Sequence, residues 1–194
     1  MQPRRTVSQY RAIDLSLFAL MLIIFETILL KASVRWFPNE PWTVSATAAV
    51  TAIVMVRWGP WAAIHAVIGG IVLCTVTRGQ WQQYLIYCAG NLAALGVLPL
   101  VKRMGWEALR KDILKNLLYG FLVLLAMQAG RAAVSMILRT APAAAAGFIT
   151  TDAINYIFTL TIVWIASRLD GILEDQRHYL QRINDPKNRE GGIA

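Results

Sequence analysis

Charge, cysteine and histidine are all scarce in this chain. Of its 194 residues only 15% are charged and 57% are hydrophobic, too apolar a balance for an ordinary soluble domain. The two cysteines, Cys74 and Cys88, sit inside apolar runs and read as small buried hydrophobes rather than a disulfide framework. The two histidines, His65 and His178, show no metal-ligand spacing with them. Gly69 and Gly70 lack the Lys and Ser/Thr that a phosphate loop needs, and no strand–Ser–helix elbow occurs. These absences argue against a zinc centre, a self-contained ATPase and an elbow-type hydrolase, so no catalytic residue, cofactor or metal ligand is assigned. A cleavable leader is not expected, because the apolar run behind basic residues 1–11 is long enough to span and lacks a small-residue cleavage site.

What is present is a series of apolar blocks. A crossing takes roughly 20 apolar residues, and six stretches qualify: 12–36, 43–56, 58–77, 81–101, 115–138 and 148–169. The second is short. RWGPW at 57–61 turns the chain straight back, so the second and third stretches must lie antiparallel. Ala62, Ala66 and Gly70 recur every four residues and make one face of the third nearly bare backbone, which suits close helix approach in lipid. Residues 102–112 read as a surface helix. These features predict an all-α membrane protein. Its core is a bundle of six transmembrane helices over 12–169, between an N-terminal segment 1–11 and a short C-terminal helix and tail over 170–194.

Basic residues orient the bundle. With six spans both termini share a side, and that side carries fourteen Lys and Arg against four on the other (Lys31, Arg35, Arg78 and Arg139), which makes both termini cytoplasmic. The net charge of +8 is thus a membrane-surface bias, and no nucleic-acid partner is inferred.

Polar residues inside spans are costly and therefore informative. At about 1.5 Å per residue, Glu26, Lys31, Tyr84, Tyr87, Asn91, Gln128, Arg131, Thr151, Asp152, Asn155 and Tyr156 all fall in the outer half. His65 alone lies in the inner half and reads as a core histidine. Outer loops at 35–42, 77–84 and 139–147 meet the same region. Aromatic rings with a few hydrogen-bonding groups describe a small-molecule pocket. Its expected lining is Trp36, Asn39, Trp42, Trp81, Tyr84, Tyr87, Asn91, Gln128, Arg131, Asp152, Asn155 and Tyr156. An Arg131–Asp152 ion pair would stabilise both charges at that depth. Plainer readings stand beside this one: the tryptophans fit an interfacial belt, the pair fits a purely structural role, and Asn91 and Gln128 fit interhelical hydrogen bonding. One Arg, one Asp, amides and aromatic rings suit a flat heterocycle bearing a carboxylate.

In its size, its six spans, FPNEPW at 37–42 before a short second span, RWGP at 57–60 and the Ala/Gly-rich third span, the chain resembles a substrate-binding S component of an energy-coupling factor (ECF) transporter. The resemblance covers most of 12–169 as a pattern. It implies a receptor in the bacterial plasma membrane that binds a vitamin-like small molecule in an outward-opening pocket. Such receptors work with a transmembrane coupling protein and two cytoplasmic ATPases, and topple to release their cargo. The family docks its coupling protein on Ala-xxx-Ala in the first helix. Here Ala12-xxx-Ser16 takes that place, and Ala62, Ala66 and Gly70 form a second small-residue face. A non-transporting cell-shape scaffold of the MreD type, docking through its C-terminal helix, is the alternative. An enzyme acting on lipid through Arg131 and Asp152 is a third reading, without a nucleophile to support it.

Overall fold

The computed structural model describes residues 6–36, 44–139, 142–150 and 152–184. Every regular element among them is a helix. Helix α1 (Val7–Trp36) turns Leu15, Leu22, Glu26, Leu30 and Ser33 inward and leaves Leu17, Leu20, Met21, Ile24 and Ile28 exposed. An apolar outer surface of that extent needs lipid rather than water around it.

Helix α2 (Thr47–Trp58) is the centre of the molecule, with eleven of its twelve residues buried against α1, α3, α7 and α9. At about 18 Å it is shorter than the hydrocarbon core. It ends at Gly59, whose φ of +62° and ψ of −122° few other residues adopt. A 3-10 turn, Gly59–Trp61, leads into α3 (Ala62–Val76). A Cβ on Gly69 would come within 2.2 Å of the Thr47 side chain, so the far end of α3 lies against the start of α2 and the two form the expected antiparallel hairpin.

The next run comprises α4 (Trp81–Asn91), a 3-10 stretch Leu92–Val97, and α5 (Leu98–Met104). The sequence reading held an uninterrupted helix here. Pro99 has no N–H for the Leu95 carbonyl, which the Leu98 N–H takes instead, so the chain overwinds ahead of the proline. Gly105 breaks the helix at φ +76° and α6 (Trp106–Lys111) follows, where a surface helix was expected. Asp112 caps α7 (Ile113–Ile137), accepting the Leu114 and Lys115 N–H groups.

The sixth stretch departs most from expectation. Residues 139–147 read as loop and 148–169 as one span, yet α8 (Pro142–Thr150) starts inside the loop, favoured by proline at its first position and four alanines. It stops before Asp152, and α9 (Ala153–Arg168) runs for only sixteen residues. After α9 the chain turns at Gly171, and α10 (Gln176–Asn184) begins five residues later than GILEDQRHYLQRI suggested.

Four helical runs are long and apolar enough to cross a membrane: Val7–Trp36, Thr47–Val76, Trp81–Met104 and Ile113–Ile137, the second folded at Gly59. Helices α4 and α7 cross at Gly90 and Gly130. A Cβ on Gly130 would lie 2.2 Å from the Gly90 carbonyl oxygen, and one on Gly90 would lie 2.6 Å from the Arg131 Cα. Backbone there meets backbone, which only glycine permits.

Candidate ligand-binding site

The α4–α7 crossing presents Arg131 to Asn91. Arg131 Nε donates to Asn91 Oδ1 at 2.7 Å, and Asn91 Nδ2 donates to the Ala66 carbonyl of α3 at 2.9 Å, which fixes the amide's orientation. The guanidinium carbon lies 4.9 Å from the Tyr87 ring centre, a cation–π distance. Arg131 is only 6% exposed, and among the described residues no carboxylate comes within 4 Å of it.

The expected Arg131–Asp152 pair is therefore not formed. Asp152 lies in the break between α8 and α9, where amides satisfy it instead. Gln128 Nε2 donates to its Oδ2 at 3.0 Å and Asn155 Nδ2 donates to its Oδ1. The Tyr156 hydroxyl donates to Gln128 Oε1. Asn155 Oδ1 accepts the Ser45 N–H at 2.7 Å, Ser45 Oγ donates to Glu26 Oε1 at 2.6 Å, and the Ala46 N–H donates to Glu26 Oε2 at 2.7 Å. A continuous chain of bonds thus runs from Tyr156 through Gln128, Asp152, Asn155 and Ser45 to Glu26, joining α7, α9, the entry to α2, and α1.

Beside these clusters lies a cavity of about 510 Å³ lined by Gln80, Gln82, Gln83, Ile86, Tyr87, Ser135, Leu138 and Phe148. Ligand pockets commonly hold about 300–1,000 Å³. Tyr87 links the cavity to the arginine: its ring forms part of the wall, carries Arg131, and meets Phe148 edge-on at 5.9 Å. Ser135 lines the wall one turn beyond Arg131, and Gln82 Oε1 is buried there without a hydrogen-bond partner.

The expected residues thus divide. Tyr87, Asn91 and Arg131 make one cluster, and Gln128, Asp152, Asn155 and Tyr156 the adjoining one. Tyr84 turns away from both, its hydroxyl 3.2 Å from Thr75 Oγ1 and its ring against Leu30, Leu73 and Cys74. Trp36 and Trp81, 71% and 64% exposed, stand at helix ends as an interfacial belt would have them and line no part of the cavity. Asn39 and Trp42 lie outside the described residues. The sequence reading missed Gln80, Gln82, Gln83, Ser135 and Phe148 as lining, and Ser45 and Glu26 as partners. One signal was available: Gln80 and Gln83 form a reciprocal cap on α4, with the Gln80 N–H donating to Gln83 Oε1 at 3.0 Å, which places both at a helix start rather than within a loop.

The small-residue faces also divide. Ala62 and Ala66 are fully buried and a Cβ on Gly70 would press on the α4 backbone at 3.0 Å, so bundle packing occupies that face and it offers no partner surface. Ala12 and Ser16 are exposed and, with Ile13, Leu17 and Leu20, line a shallow groove on α1. His65 is fully buried in the core, its Nε2 3.1 Å from the Leu15 carbonyl oxygen and its Nδ1 without a hydrogen-bond partner among the described residues, so it is a core histidine only half satisfied.

At the opposite end of α2, Arg57 grips Asp14 with two bonds of 2.9 and 2.6 Å, and the Trp58 indole N–H donates to the same carboxylate at 2.6 Å. Arg57 Nη1 also donates to the Gly171 and Ile172 carbonyls. Glu174, with no exposed side-chain surface, holds Arg182 at 3.0 Å and His178 at 3.4 Å. The segment after α9 is therefore folded back onto the bundle.

Protein families, curated proteins and solved structures compared with this chain give no match. Fold and composition together define an all-helical membrane protein.

Proposed function

We propose that the chain is the ligand-binding subunit of a small-molecule uptake system in a bacterial plasma membrane. In this reading α1, the two arms of the hairpin, the α4–α5 run, α7 and the α8–α9 pair are its six membrane segments, with both termini cytoplasmic. The observation that carries it is Arg131. A buried cation with no carboxylate in contact is costly in a low-dielectric interior, and here the buried Glu26 acts on Arg131 only at longer range. The protein supplies one amide and one aromatic face, and leaves the rest of the guanidinium fork without a carboxylate. A bound carboxylate would complete it, and the neighbouring cavity has room for the aromatic body of such a ligand. Gln82, Gln83 and Ser135 supply polar groups for its heteroatoms. The exposed Ala12–Ser16 face is available to a transmembrane coupling protein, which two cytoplasmic ATPases would drive.

The scaffold reading would dock a partner through the C-terminal helix, of which Leu180 is buried while Arg177, His178 and Gln181 stay exposed. Mass spectrometry of small molecules copurifying with the detergent-solubilised chain tests the proposal, followed by titration of what is found. Arg131→Gln should weaken binding by roughly 30-fold or more, the usual effect of truncating one side of a buried charge pair. Unchanged affinity would remove Arg131 from the site and end the argument.

A further inference from the structure

A second groove lies on the lipid-facing side, away from the ligand cavity. It measures about 460 Å³ and runs between the 3-10 stretch with α5 on one wall and α7 on the other, lined by Gly96, Val97, Leu100, Leu122, Leu125, Ala126 and Ala129. Its origin is the proline effect described above. Overwinding at Leu92–Val97 brings Gly96 to the surface, where a Cβ would meet nothing within 4 Å. With Ala126 and Ala129 opposite, small side chains leave a slot on this face although the two runs stay in contact. In a bilayer an apolar slot of this kind is filled by a hydrocarbon chain.

Charge at the slot's mouth says which lipid. Helix α5 ends toward the same side as α7 begins. Arg103 stands one turn beyond Leu100 on the first wall, and Lys115 continues the second two turns before Leu122. Lys102 and Arg103 are exposed, and among the described residues neither has a carboxylate within 4 Å. Lys115 shares its charge with Asp112 at 3.3 Å. From the mouth to Ala129 is about 20 Å along α7, the reach of one leaflet with its headgroup. We infer that this groove is a binding site for one anionic phospholipid, with an acyl chain between α5 and α7 and the phosphate on Arg103, where Lys102 adds to the positive charge at the end of α5. The inference needs the chain to be in a membrane but does not depend on the ligand proposed for Arg131.

Native mass spectrometry of the intact chain in detergent, titrated with dioleoyl phosphatidylglycerol or phosphatidylcholine, tests it. The anionic lipid should persist as a single adduct with a preference of roughly 25-fold, about fivefold for each of the two charges. Lys102→Gln with Arg103→Gln should remove roughly fivefold of that preference per charge, while leaving chain binding to both lipids. Gly96→Leu, whose Cβ has open space and whose side chain would occupy the slot, should remove the adduct for both. The soluble headgroup glycerophosphoglycerol should not compete. Equal retention of the two lipids by the unaltered chain, a phosphatidylglycerol adduct that survives Gly96→Leu, or full competition by the soluble headgroup would each overturn the site. A dimer that dissociates on Gly96→Leu would show a second copy in the groove, and would overturn it too.

Discussion

Replacing Gly130 by alanine tests the crossing on which the proposed ligand site is built. In a helix the change should stabilise by up to about 1 kcal/mol, because alanine is the better helix former. Space decides against it. The new Cβ would lie 2.2 Å from the Gly90 carbonyl oxygen, 2.6 Å from the Ala93 Cβ and 3.0 Å from the Gly90 carbonyl carbon. Two of these three atoms are backbone and cannot rotate away, so α4 and α7 must separate by roughly 1 Å or more to reach ordinary contact. Overpacking of this kind costs about 1–3 kcal/mol, enough to outweigh the propensity gain. Separation would also stretch the 2.7 Å Arg131–Asn91 bond beyond hydrogen-bonding range, since the two residues flank the crossing on opposite helices. Gly96→Ala is the control: its Cβ would meet nothing within 4 Å, so it should be neutral or slightly stabilising. The measurement is thermal unfolding of both variants in the same detergent. A Gly130→Ala protein as stable as Gly96→Ala would show that the helices do not touch through their backbones, and the placement of Arg131 would fall with them.

Two further outcomes are expected. Arg57→Gln leaves Asp14 without its guanidinium and frees the Gly171 and Ile172 carbonyls; it should cost roughly 2–4 kcal/mol, less than a fully buried pair because the Asp14 side chain is 21% exposed. Limited trypsin digestion should then cut at Arg177 and Arg182 well before the bundle melts, and an unchanged digestion pattern would mean Arg57 does not hold the tail. Asp112, whose carboxyl is held below its ordinary value chiefly by the Lys115 N–H, contributes stability that is fully present above the unfolded value of about 4. That contribution is lost as pH falls through the lower folded value. Acid melts of Asp112→Ala should lack this increment, and an unaltered acid profile would contradict the cap.

The hairpin was legible because RWGPW leaves too few residues for anything but reversal, and because glycines at 69 and 70 announce a close neighbour. The 3-10 stretch was not. Its apolar pattern, LAALGVLP, is as continuous as a helix, and one proline acts on the carbonyl four residues back. The break before Asp152 was hidden for a similar reason, since Pro142 and the alanines make the preceding loop as helical as a span. Facing was readable where partnership was not. Three-residue spacing put Gln128 and Arg131 on one face, but whether Asp152 answers the arginine or the amide depends on an irregular junction. Asp14 and Arg57, 43 residues apart, are joined only by the fold.

The polar residues around the start of α2 separate once the needs of that helix are considered. A twelve-residue helix inside an apolar bundle begins at depth, where its first N–H groups have no water. Its N-cap residue, Ala46, has no side chain to accept them. Glu26 takes the Ala46 N–H and Asn155 the Ser45 N–H just ahead of the helix, and Ser45 Oγ takes the first helical N–H, that of Thr47, at 3.2 Å, so two other helices hold the entry to α2. A carboxylate at that position also meets the positive end of the helix dipole. Asp152 and Gln128 complete the bonding of Asn155 and so belong to this framework. Glu26, Ser45, Asp152, Asn155 and Gln128 are therefore explained by backbone satisfaction, without a ligand. Arg131 is not: its nearest partners orient the guanidinium, and the Glu26 carboxylate, bonded to Ser45 and Ala46, reaches it only at longer range. Of the polar set at this end of the bundle, Arg131 is the residue that a bound anion would explain, and the Tyr87 ring and the buried Gln82 oxygen beside it mark where that anion's body would lie.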